Sequence, residues 1–159
     1  MISIAFAVLA SAPAEEQEFS FKFFRGSGTY SVASLKEAGC KQRGDRFDCD
    51  LTTTVADYWA FIQYTIVDQK LTSMIVSGKR TAIPDLLPQL EGKYGTPCKV
   101  GRNDVVTGLG ARLPSVTITW CFKTGTFEFR EIGLMRDTYA LEYRAYSREE
   151  PKAIAPSDF

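Results

Sequence analysis

Apolar and polar positions alternate along most of this chain, and the period of the alternation changes at two places. Residues 19–25 set Phe19, Phe21 and Phe23 against Ser20 and Lys22, which is the period of a half-buried strand. GSGTYS interrupts that run. Ser31 then stands where a cap is needed for a short helix, VASLKEA, which stops at Gly39. RFDCDLTTTV, rich in β-branched residues, predicts a strand around Cys49. DYWAFIQYTIV gives the longest alternation, with Tyr58, Ala60, Ile62, Tyr64 and Ile66 on one face and Trp59 and Phe61 on the other. The turn DQK leads back into LTSMIVS, its expected hairpin partner.

The helical period returns in PDLLPQLEGKY, where Leu86, Leu87, Leu90 and Tyr94 form one apolar stripe. Pro84 suits a first helical turn, and Pro88 is expected within that turn too, since deeper in the helix it would produce a kink. Gly95 and Pro97 end the element. Three further strands are expected in SVTITWCF, in TFEFREI beyond the turn KTG, and in TYALEYRAY, which aligns Tyr139, Leu141, Tyr143 and Ala145. The segment Lys99–Pro114 reads as a strand with a hairpin turn at Gly108–Gly110, or else as a contact loop with Leu109 at its apolar tip and Asn103 and Arg112 as polar anchors.

Strands joined mostly by hairpins, with two substantial helices, predict an α+β fold: an antiparallel sheet of about six to eight strands with both helices on one face. The order reads as two pseudo-repeats of strand–helix–strand–strand, about 17–67 and 71–147, within a single domain over 15–147; the charged, Pro-containing segment 148–159 is expected to fray. One face of such a sheet can be left to water. It would carry Glu128, Arg130, Glu142 and Arg144 as cross-strand ion pairs. Trp59 and Phe61 are core if that face is covered and interface anchors if it is open; burial is the first expectation, because aromatics dominate cores.

Composition narrows the chemistry. The chain has 159 residues, with nineteen basic residues balancing nineteen acidic ones, and no histidine. Balanced, scattered charge gives no basic stripe for nucleic acid or an anionic membrane. The missing histidine removes the commonest general base, the Ser/His and Cys/His nucleophile pairs and the usual zinc ligand. A hydrolase here would depend on carboxylates such as Asp48, Asp50, Glu128 or Glu142, brought about 5–9 Å apart. GSGTYS lacks the rest of a phosphate-loop signature and reads as a turn with a helix cap. No cofactor or metal is expected.

Residues 1–14, MISIAFAVLASAPA, carry no charge and end in Ala12-Pro13-Ala14 before the polar switch EEQE. They read as a secretory signal without its basic leader, or alternatively as a buried strand; cleavage would leave a mature chain starting at Glu15, without a membrane span. Four cysteines, Cys40, Cys49, Cys98 and Cys121, fit export and disulfides better than a metal site. Of three possible connectivities, the local pairs Cys40–Cys49 and Cys98–Cys121 are favoured. Each helix ends in a glycine followed closely by a cysteine, and each has a second cysteine in a following strand.

FRGSGTYSVASLKEAGC, then a cysteine-bearing strand, then YTIVDQKLTSMIV, LLPQLEGKYGTP and VTITWCF resembles a layout common in small secreted bacterial proteins. It also resembles the tandem-repeat architecture of the secreted β-lactamase-inhibitory protein family and the related half-fold of the outer-membrane assembly lipoprotein. That resemblance implies helices packed on an antiparallel sheet, one local disulfide per repeat and a protein-binding role. The chain departs from it in having single short helices where the inhibitor's repeats open with helix–loop–helix, and in lacking the lipid-bearing cysteine. The resulting expectation is a periplasmic or secreted, non-enzymatic module that binds another protein through Trp59, Phe61, Asn103, Leu109 and Arg112, as an inhibitor or immunity-type factor. A structural or assembly factor of the cell envelope is the alternative.

Overall fold

The computed structural model describes residues 17–147. The signal expected over residues 1–14, its junction at Glu15 and the tail from residue 148 lie outside the described residues. The described chain runs β1 (Ser20–Phe21), β2 (Phe24–Arg25), α1 (Val32–Glu37), β3 (Lys41–Arg43), β4 (Arg46–Val55), β5 (Tyr58–Val67), β6 (Lys70–Lys79), a 3-10 turn at Arg80–Ala82, α2 (Ile83–Tyr94), β7 (Lys99–Val106), β8 (Arg112–Cys121), β9 (Gly125–Arg130) and β10 (Thr138–Ala145). One eight-stranded antiparallel sheet has the order β3-β4-β5-β6-β10-β9-β8-β7.

That order holds two meanders, β3 to β6 and β7 to β10, which meet where β6 pairs with β10. Each meander follows one helix. The strand–helix–strand–strand units expected above therefore differ from the observed order, which is a helix followed by four strands, twice. Two local causes account for the difference. The residues 19–25, expected as one strand, fold back at Lys22, whose φ is 52°, into a two-rung hairpin apart from the main sheet. The short β3, with no buried residue, carries no periodic signal and pairs with β4 directly beside the Cys40–Cys49 bridge.

The N-terminal hairpin supplies core to the sheet. Phe19 stacks on Tyr143 with ring centroids 4.0 Å apart, and Phe21 and Phe24 meet Phe127 and Tyr64. Phe23, expected beside them, is turned outward by the bend and is 59% exposed. One core cluster joins these rings to Leu35 of α1, to Leu86, Leu90 and Tyr94 of α2, and to Ala60, Ile62, Tyr64 and Ile66 of β5. Both helices thus cover the same face.

The helix ends follow their sequence signals. Ser31 caps α1 by accepting from the Ser34 amide at 3.1 Å. At the far end of α2, Gly95 takes φ 71°, a conformation costly for any residue with a side chain. Its carbonyl accepts from the Trp120 indole at 3.0 Å, which fixes the exit of the helix against β8. Pro88 lies inside α2 rather than in its first turn. Pro88 is exposed, and its missing N–H leaves the Pro84 carbonyl without the helical bond it would otherwise accept.

Candidate functional site: the uncovered face of the sheet

Side chains alternate across a sheet, so the face opposite the helices is read directly from register. One rung of it runs Asp50, Gln63, Ile75, Glu142, Glu128, Thr119, Lys99; the next runs Thr52, Phe61, Ser77, Ala140, Arg130, Thr117. No helix covers these positions among the described residues. Trp59 and Phe61 are 73% and 44% exposed. Their expected burial is thus corrected. Two helices are too few to cover both faces of eight strands, and the opposite alternation of β5 occupies the helix side.

At the centre of this face the charges expected to be simply solvated are organised more tightly. Glu142 is only 9% exposed. One carboxylate oxygen accepts from the Arg130 guanidinium at 2.5 Å and the other from Arg144 at 2.6 Å. Glu128 stands directly opposite Glu142 across β9 and β10 and lies 3.4 Å from Arg130. That contact meets the distance of an ion pair, yet Arg130 Nε makes no aligned hydrogen bond, so it is weaker than the two Glu142 contacts. Glu142 in turn holds Arg144 more firmly charged, through its hydrogen bond first and its charge second. Thr126, Glu128, Arg130, Glu142 and Arg144 together line a shallow recess. On the same face but on β4, Asp48 is partly desolvated, which opposes ionisation, but hydrogen bonds from Arg46 and Thr65 prevail and lower its pKa.

The remaining expected contact residues form a second group. Lys99–Val106 and Arg112–Cys121 are paired strands, so the strand-and-hairpin reading of Lys99–Pro114 describes this segment. Asn103 is exposed opposite Ser115, Leu109 is fully exposed at the hairpin tip, and Arg112 reaches Asp104 at 3.8 Å. Both partners of that pair are exposed, which makes it a weak tie. Five strand spacings separate β5 from β7, about 24 Å. Trp59 with Phe61, and Asn103 with Leu109 and Arg112, are accordingly two patches rather than one.

Between them lie two residues the sequence reading passed over. Leu134 and Met135 are 88% and 64% exposed in the loop joining β9 to β10. They sit at the same end of the sheet as the start of β5, because Thr138 pairs with Lys79 there. Two large apolar residues inside GLMRD, a loop bounded by Gly133 and Asp137, were the available signal.

Both local disulfides are present, Cys40–Cys49 and Cys98–Cys121, with Cα separations of 4.4 and 5.8 Å. They differ in side. Cys49 is buried on the helix-covered face, whereas Cys121 alternates with buried Trp120 and shares the open face with Thr119. The second bridge still fastens the segment leaving α2 to β8, where the Cys98 amide donates to Thr119 at 2.9 Å. No helix among the described residues is long and apolar enough to cross a membrane.

No protein-family model, no curated protein and no solved structure matches the chain.

Proposed function

We propose that this chain is an exported, disulfide-stabilised protein of the bacterial envelope that docks another protein on the open face of its sheet, as an inhibitor or immunity-type factor and without chemistry of its own. The observation that carries the reading is the exposure of Trp59 and Phe61, at 73% and 44%, on an uncovered face that also holds a charged recess two and three strands away, on β10 and β9. Aromatics and arginines in such a setting are the side chains that dominate protein interfaces. The two disulfides support export, since such bonds persist in oxidising compartments. Glu128 and Glu142 face each other as a carboxylate pair, but arginines contact both, an arrangement suited to a fixed polar contact surface. The recurrence of one helix and four strands supports a tandem duplication, with units of about 32–79 and 83–145, and with it the resemblance to the inhibitor family.

The test uses the full chain and its Trp59→Ala, Phe61→Ala variant as paired baits against envelope extract, followed by titration of the captured protein after purification. The variant is expected to bind at least about tenfold more weakly. A captured partner that binds both baits equally would refute this face as the site.

A further inference from the structure

We propose that the outer edge of β4, from Asp50 to Val55, is a self-association edge on which a second copy of this chain adds as an antiparallel strand. β3 pairs only with Arg46, Phe47 and Asp48 of β4, and Cys40 occupies the position beside Cys49 through the disulfide. Beyond that point β4 has a ladder on its β5 side alone. Among the described residues, no other strand or backbone hydrogen bond meets Asp50–Val55.

Sheet edges are normally defended by charge, proline or a bulge. β7 at the other edge carries Lys99, Arg102 and Asp104. The free stretch of β4 carries LTTTV, with no charge after Asp50, no proline and an unbroken register against β5. Thr52 and Thr54 are exposed, and Leu51 and Thr53 are only half-buried.

The occupant follows from the sequence of the edge itself. An antiparallel pair related by a two-fold axis keeps the helices of both copies on one side only when the register is centred on a residue. Centring on Thr53 sets Leu51 opposite Val55 and Thr52 opposite Thr54, so apolar meets apolar, hydroxyl meets hydroxyl and no two charges coincide. Centring on Thr52 would set Val55 opposite Cys49, where Cys40 already stands. The Thr53 register allows about four interstrand hydrogen bonds, two from each Thr52–Thr54 pair. It would join the two open faces, with Phe61 and Trp59 of each copy one strand behind the joint.

Sedimentation velocity on the full chain, from micromolar to millimolar concentration, tests this without any other protein present, so its failure leaves the docking proposal standing. The expected result is a mass rising toward two chains with concentration. The double variant Thr52→Lys, Thr54→Lys places like charges opposite each other and should weaken association at least about tenfold. An equimolar mixture with Thr52→Glu, Thr54→Glu should restore the dimer, which also shows that both variants are folded. A wild-type chain that stays at single-chain mass throughout, or a lysine variant that still dimerises, would overturn the proposal.

Discussion

Replacing Gly78 with alanine probes the seam where the two meanders join. Gly78 lies in β6 directly opposite Tyr139 of β10. The tyrosine ring lies across it: an added Cβ would stand 2.6 Å from the Tyr139 hydroxyl and 2.7 Å from Cε1 and Cζ. Ordinary carbon contacts are about 3.5–4.0 Å, so the methyl intrudes by about an ångström. Tyr139 is completely buried and cannot swing aside into water. Overpacking of this kind costs about 1–3 kcal/mol, while relief of glycine's backbone entropy returns about 0.5–1 kcal/mol. Because the buried ring cannot yield, the upper half of that cost applies, about 2–3 kcal/mol, and the net expectation is about 1–2.5 kcal/mol of destabilisation, or roughly 3–10 °C in Tm for a domain of this size. Urea unfolding of Gly78→Ala, Tyr139→Leu and the double variant, with disulfides intact, measures it as a cycle. Tyr139→Leu alone should lose stability by opening a cavity, yet the double variant should cost at least about 0.5 kcal/mol less than the sum of the singles. If Gly78→Ala matches the wild type, or the two changes simply add, the ring is not packed on the glycine and the seam is held otherwise.

Three further outcomes are expected. Among the described residues Tyr139 has no hydrogen-bond partner for its buried hydroxyl, and burial pushes its pKa up to about 12. The folded value lies above the ordinary 10.0, so its stabilising effect holds below pH 10 and is lost as pH rises from 10 through 12. Tyr139→Phe should unfold less readily in that window by far-UV dichroism, and be equal or up to about 1 kcal/mol more stable at neutral pH. For the disulfides, the separations of 23 and 9 residues predict losses of about 3.4 and about 2.6 kcal/mol on chain-entropy grounds. Serine replacement of Cys98 and Cys121 should therefore lower Tm more than the same change at Cys40 and Cys49. Trp59→Ala, on an exposed side chain, should change unfolding free energy by less than about 0.5 kcal/mol; a larger loss in thermal melts would mean that the indole packs on the fold rather than awaiting a partner.

The parts of the fold legible in the sequence are those set by local period. β4 and β5 begin and end where their alternation does, and α2 follows its stripe from Leu86 to Tyr94 because Gly95 and Pro97 allow no continuation. What escaped was decided at long range. Phe23 and Phe24 are equivalent as apolar residues, and only the packing of Phe24 on Tyr64 at 4.7 Å and the bend at Lys22 select which one turns inward. β3 has no apolar residue to announce it. The pairing of β6 with β10, which brings Glu142 into the centre of the open face, joins residues far apart in the chain.

The same distinction explains the candidate site. The alternation of β5 placed Trp59 and Phe61 on the face away from Ala60 and Ile62, but which face the helices cover depends on all eight strands at once. α1 contributes a single buried residue, Leu35, and α2 three, while the N-terminal hairpin adds Phe19, Phe21 and Phe24 on that same side. All the covering elements are thereby committed to one face. An eight-stranded sheet exposing two large aromatics on the other, and on β10 a carboxylate held between two arginines, has left that surface apolar in part and fixed in its charges. Desolvating Trp59 and Phe61 against a partner recovers the hydrophobic free energy their exposure forgoes, while the Arg130–Glu142–Arg144 network offers preordered polar contacts at little further entropic cost. Both terms favour association over remaining in water, and on that balance the proposed docking role rests.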